Sequence, residues 1–141
     1  MARHDHSLDA LRSLRLFHGC STKELEQIAR LTDEVTVKAG DRIVRQGDSG
    51  REAFVIVDGI AAVVLDDTTI TDLGAGQHFG ELALLDGGTR TANVDAVTDM
   101  TLLVLHRPAF LGLLDEQPGI ARRIMATMAS IIRDLEHSAA D

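Results

Sequence analysis

The chain has 141 residues, which suits one domain whose core closes without a metal or disulfide staple. A formal net charge of −8 argues against a nucleic-acid surface, which needs a basic patch. No apolar run reaches the roughly 18 residues of a membrane span, and the start, Met1 to Ser7, lacks the apolar centre of a signal peptide.

Leu8, Leu11 and Leu14 recur at helical spacing and predict a short helix over Leu8–Leu14, with Phe17 packing on the core. The single Cys20 cannot form an internal disulfide; it reads as a structural thiol in a reducing cytoplasm. Ser21-Thr22-Lys23-Glu24 is a capping-box pattern and opens a second helix over Thr22–Leu31.

From Asp33 the period changes to two, beginning with Val35 and Val37. Glycines then punctuate short β-rich runs: Arg42–Arg45, Ala53–Val57, Ile60–Leu65 and Thr68–Leu73. Asp58-Gly59 between two apolar runs signals a tight hairpin, and Asp66-Asp67 a second one. Asn93–Val97 and Thr101–Leu105 continue the pattern, so the middle of the chain reads as a roll or barrel. Pro108 suits the first turn of a helix, and Gln117-Pro118 starts another. That last helix carries two apolar rows. Ile120, Ile124, Met128, Ile131 and Leu135 form one; Ala121, Met125, Ala129 and Ile132 form the other. Both are expected to be buried, one on the roll and one on a partner or lid. Arg122 and Arg123 read as a solvated face, and the tail from Ser138 to Asp141 as frayed.

One stretch carries chemistry, Phe79 to Val94. Gly80 permits a tight turn, and Glu81 opens a short helical run, Leu82–Leu85, that Asp86, Gly87 and Gly88 end. Arg90 then leads into a strand over Thr91–Val97. The unpaired amides of a helix start attract an anion, and an arginine fork grips two phosphate oxygens. A glutamate beside such a site makes sense where the anion also carries a hydroxyl, as in a ribose phosphate.

These residues resemble the phosphate-binding cassette of the cyclic-nucleotide-binding domain, the family of the bacterial catabolite activator protein and the regulatory subunits of cyclic-nucleotide-dependent kinases. The matching segments are Phe79-Gly80-Glu81-Leu82-Ala83-Leu84-Leu85 and Arg90-Thr91-Ala92-Asn93-Val94. The resemblance implies that Glu81 takes the ribose 2′-hydroxyl. It implies that the Gly80-Glu81-Leu82-Ala83 backbone and Arg90 hold the cyclic phosphate, beside Phe79, Thr91 and Ala92 as further ligand-binding residues. Thr91 is compatible with cAMP or cGMP, and cAMP is the leading expectation. The resemblance also implies a C-terminal helix that moves to cap the base, here Pro118 to His137 with Ile131, Ile132 or Leu135 as the apolar cap.

The expected architecture is α+β, an eight-stranded antiparallel β jelly roll in one domain. N-terminal helices span residues 1–32, and the roll spans 33–106 with its cassette at 79–94. Two C-terminal helices span 107–141. The expected role is a non-catalytic, cytoplasmic, ligand-responsive module with no cofactor. No helix-turn-helix, kinase segment or channel follows in this sequence. Action on an unknown effector protein in trans, self-association through the last helix, or a place in a longer protein are therefore the expectations. A metal-dependent cupin needs clustered histidines, but only His4 and His6 have His-x-His spacing, and they do not lie on a strand. The remaining alternative is a roll without ligand that serves dimerisation.

Overall fold

The computed structural model describes residues 2–140, with side chains from residue 7 to residue 139. Three helical elements come first: α1 (Ala2–Arg12), a 3₁₀ turn (Arg15–Phe17) and α2 (Thr22–Ala29). The predicted first helix therefore begins earlier and ends sooner, and the chain tightens into the 3₁₀ turn before α2. The capping box is present: the Ser21 hydroxyl accepts from the Glu24 amide, and the Glu24 carboxylate accepts from the Ser21 amide.

Eight strands follow: β1 (Asp33–Val37), β2 (Arg42–Val44), β3 (Glu52–Asp58), β4 (Ala61–Leu65), β5 (Thr68–Leu73), β6 (His78–Phe79), β7 (Asn93–Ala96) and β8 (Met100–His106). They form two antiparallel four-stranded sheets, ordered β1-β8-β3-β6 and β2-β7-β4-β5. A one-turn helix, α3 (Ala83–Asp86), lies between β6 and β7, while α4 (Arg107–Glu116) and α5 (Pro118–Ala140) close the chain. The α+β roll with helices at both ends is thus as the sequence predicts.

Strands β3 and β8 bury both faces, which explains their nearly continuous apolar sequences. Phe54, Ile56, Leu102 and Val104 point between the sheets. Val55, Leu103 and Leu105 point to the other face, where they meet Leu11, Leu16, Phe17, Ile28, Phe110, Ile120 and Ile124 of the helical layer. The Phe17 and Phe110 rings pack 5.7 Å apart in that layer. Cys20 lies at its edge, and burial pushes the thiol up to about 11, with Glu24 adding to the effect. The thiol is neutral at physiological pH, as befits a packing residue.

The Asp58-Gly59 hairpin is a correction. β3 and β4 lie in different sheets, so the chain crosses the roll there. Gly59 has φ of 100°, and a Cβ on it would sit 2.6 Å from the Asp99 carbonyl oxygen. The glycine serves that close crossing rather than a hairpin. The true tight hairpin joins β4 to β5, where Asp66 and Asp67 take φ of 49° and 65°, the left-handed pair of a primed turn.

In α5, Ile120 and Ile124 are buried, but Met125, Ile132 and Leu135 are 61%, 52% and 61% exposed. Met125 and Ile132 belong to the second apolar row and Leu135 to the end of the first, so the second row and the end of the first are uncovered in this chain. The tail does not fray at Ser138, since α5 runs through Ala140. No helix among the described residues is long and apolar enough to cross a membrane.

Candidate functional site

A cavity of about 460 Å³ opens beside the inner face of the β2-β7-β4-β5 sheet. Val44, Val63 and Val94 supply an apolar wall, and the segment around α3 supplies the rest. Phe79, Gly80, Glu81, Leu82, Ala83, Arg90, Thr91 and Ala92 all line it, so the structure brings every predicted site residue to one cavity. No α5 residue lines it. Ile131, Ile132 and Leu135, the expected apolar cap, therefore lie outside it.

The turn into α3 begins at Gly80, whose φ is 80°. The helix itself starts at Ala83, one residue later than the predicted run Leu82–Leu85, and is capped by Gly87 in the left-handed conformation. A single turn has little macrodipole, so individual donors matter more than the helix as a whole. Among the described residues, the Glu81 and Leu82 amides donate to no carbonyl. The Ala83 and Leu84 amides are occupied by the Gly80 and Glu81 carbonyls.

Arg90 is held by its backbone and by its side chain. Its amide donates to the Asp48 carbonyl at 2.7 Å, and its carbonyl accepts from the Gly47 amide at 2.9 Å. Its Nη2 donates to the Glu52 carbonyl oxygen at 2.9 Å and meets the Glu52 carboxylate at 3.4 Å. Its guanidinium carbon lies 5.8 Å from the centre of the Phe54 ring, which in turn stacks on Phe79 at 4.8 Å. The Arg90 side chain is only 8% exposed. Burial lowers its pKa below the ordinary arginine value, and the Glu52 charge opposes that shift.

Two glycines make room for this arrangement. A Cβ on Gly80 would lie 2.5 Å from Arg90 Nη1, and one on Gly50 would lie 2.6 Å from Ala83 Cβ. Glu81 lines the cavity while its Oε2 accepts from the Leu16 amide of the 3₁₀ turn at 3.3 Å. Sequence reasoning missed Glu52, Phe54 and this Leu16 contact. Glu52 did carry a signal, as the acidic residue that immediately precedes the apolar run Ala53–Val57.

Among the described residues, no three His, Cys, Asp or Glu side chains gather as a metal site. The side chains of His4 and His6 lie outside that description.

The chemistry available is anion binding beside a hydroxyl acceptor. A buried guanidinium, the Glu81 and Leu82 amides and the Glu81 carboxylate share a cavity with an apolar wall, and Asp86 also lines it. The model of the cyclic nucleotide-binding domain matches residues 34–117. A cyclic nucleotide-gated potassium channel from Rhizobium etli is 38% identical over 112 residues, covering 79% of this chain and 31% of the channel. The cyclic AMP receptor protein of Thermus thermophilus is 31% identical over 126 residues, covering 86% of this chain and 58% of that protein. The chain thus spans less than two thirds of the length of either relative. Among solved structures, the N-terminal domain of a transcriptional regulator from Streptomyces coelicolor A3(2) superposes with a TM-score of 0.79 at 27% identity, covering 87% of this chain and 94% of that one. The fold, the cassette and the matched residues together make this chain a member of the cyclic nucleotide-binding domain family.

Proposed function

We propose that the cavity binds a 3′,5′-cyclic nucleotide, with cAMP favoured and cGMP the second candidate, and that the domain is a non-catalytic sensor. The observation that carries this reading is the pairing of Arg90 and Glu81 in one cavity, opposite an apolar wall of Val44, Val63 and Val94. Arg90 and the Glu81 and Leu82 amides would hold the phosphate. Glu81 would accept the ribose 2′-hydroxyl, and Val44, Val63 and Val94 would pack against the sugar and base. A deoxy ligand would leave the Glu81 acceptor without its partner, which is the source of discrimination. The preference for cAMP is supported by the Thermus relative, which is named a cyclic AMP receptor protein.

A ligand that binds only the folded form raises its melting point. At about 100 times its dissociation constant cAMP should stabilise the fold by about 2.7 kcal/mol. Thermal shift should rank cAMP above cGMP, and both above 5′-AMP, whose open phosphate carries more charge and a different shape. Equal, negligible shifts with all three would leave the rival reading, a roll that serves dimerisation alone.

The output is expected at α5. Ala121, Met125, Met128, Ile132 and Leu135 alternate in steps of four and three, the seam of a two-stranded coil, and three of these side chains are exposed. Self-association through this seam, or capture of an effector protein on it, follows as the proposed response to ligand. Light scattering should show a dimer that Ile132→Glu converts to a monomer. A protein that is monomeric with and without nucleotide would remove self-association and leave the effector in trans.

A further inference from the structure

A separate cavity of about 380 Å³ lies behind the cassette. Ser49, Gly50 and Arg51 of one loop line it, with Asp86 and Gly87 at the end of α3 and Arg107 at the start of α4. Hydrogen bonds lock these segments together. The Gly50 amide donates to the Gly88 carbonyl at 2.9 Å, and the Arg107 amide to the Arg51 carbonyl at 2.8 Å. Arg107 Nη2 donates to the Leu85 carbonyl at 3.0 Å. The walls are thus set by the protein's own contacts. Gly50 divides this cavity from the cassette's own: a Cβ on it would lie 3.1 Å from Arg90 Cζ on the other side.

Two cations line this cavity with most of their donors unspent. Arg107 spends one on Leu85, while its Nε is buried without a partner and its Nη1 meets no acceptor among the described residues. Arg51 is exposed, and among the described residues its side chain has neither an ion pair nor a hydrogen bond. The exposed Ser49 hydroxyl is equally unengaged among them. The chain carries a net charge of −8, so carboxylates are in surplus, yet none pairs with either arginine. Asp86 is the one carboxylate among the lining residues, and its Oδ1 accepts from the Gly88 amide at 2.7 Å. The start of α4 adds partial positive charge, since Pro108 lines the cavity and His106 gives the helix no side-chain cap.

We propose that this second cavity binds a dianionic phosphate group, free or as a small monoester, held by Arg107 and Arg51 with the Ser49 hydroxyl as a further donor. A planar guanidinium fork suits a pair of phosphate oxygens. A carboxylate ligand could fill one fork, whereas the three free oxygens of a phosphate can engage both arginines. Asp86 works against any anion here, which restricts the site to a ligand that uses several donors at once. The cyclic phosphate of the proposed nucleotide belongs beyond Gly50, beside Arg90. The second site goes beyond that reading and stands without it.

Inorganic phosphate titrated into the full chain at constant ionic strength, and followed by amide NMR shifts, tests it. Saturable shifts should appear at Ser49, Gly50, Arg51, Gly87 and Arg107. They should persist in Arg90→Ala, which disables the anion site of the other cavity. Arg51→Gln changes an exposed side chain without partners, so it should keep the melting point and weaken phosphate about three- to tenfold. Arg107→Gln should weaken it about tenfold or more, with its fold checked in the same spectra. Glycerol 3-phosphate binding above inorganic phosphate would assign the site to monoesters, and the reverse order to the free ion; either order supports it. Shifts that never saturate, that sodium chloride reproduces, or that Arg51→Gln leaves unchanged would overturn the site. Shifts confined to residues 80–82 and lost in Arg90→Ala would also overturn it, by placing the phosphate in the nucleotide cavity.

Discussion

Arg90→Ala should weaken cyclic-nucleotide binding by about 2–5 kcal/mol, which is roughly 30- to several-thousandfold in the dissociation constant. The Arg90 side chain is 8% exposed and meets the Glu52 carboxylate at 3.4 Å, longer than a tight charged hydrogen bond. A cyclic phosphate would supply the closer negative partner. Removing the arginine leaves that anion buried against apolar residues with two amides alone. The fold should tolerate the change better than the site does. Glu52 is 35% exposed on its side chain, so water can solvate the carboxylate that loses its partner. Arg90→Lys keeps the charge but loses the planar fork and should fall between the two. Calorimetry with cAMP, read beside the melting point of each variant, checks this. Unchanged affinity in Arg90→Ala, with the fold intact, would remove the arginine from the site.

Much of the fold could be read from local pattern because local pattern determined it. The period-two runs, the capping box at Ser21 and Glu24, and Pro at the start of α4 all depend on neighbours a few residues away. The Asp58-Gly59 crossing did not follow, because a glycine with positive φ serves a turn or a close approach equally well. Only the distant Asp99 and Met100 settle which it is here. What covers each face of α5 was not legible for a related reason. Helical spacing identifies an apolar row but not what covers it, and within this chain Met125, Ile132 and Leu135 meet too little to be buried.

The site divides along the same line. Its contiguous half, Phe79 to Ala83 with Arg90 to Ala92, was legible because one loop holds it and the glycines and arginine have spacing that can be recognised. Its supporting half was not. Glu52 and Phe54 reach Arg90 only because β3 pairs with β6, which brings Phe54 opposite Phe79. Leu16 reaches Glu81 with a backbone amide, a group that every residue except proline carries and no sequence can single out. Groups that orient a binding side chain are often of this kind, set by topology rather than by residue type.

Gly80→Ala should damage the fold and the anion site together. At φ of 80° an L side chain is strained, at a cost of about 1–2 kcal/mol. The added carbon would also lie 2.5 Å from Arg90 Nη1 and 2.8 Å from the Glu52 carbonyl oxygen. The arginine can swing aside, but the carbonyl belongs to β3, which is paired on both sides by β6 and β8. Relief therefore comes from expelling the guanidinium or lifting the Gly80 turn, and either one dismantles the anion site. The expected result is a stability loss of about 2–4 kcal/mol together with binding reduced at least as far as in Arg90→Ala. Gly40→Ala separates strain from collision. Gly40 has φ of 93° but nothing within 4 Å of its Cβ position, and it does not line the cavity. It should lose stability through backbone strain alone and keep its affinity for cAMP. Chemical denaturation and calorimetry on the two variants decide the matter. If Gly80→Ala binds as the parent does while Gly40→Ala does not, the close packing of Arg90 on Gly80 has no part in recognition.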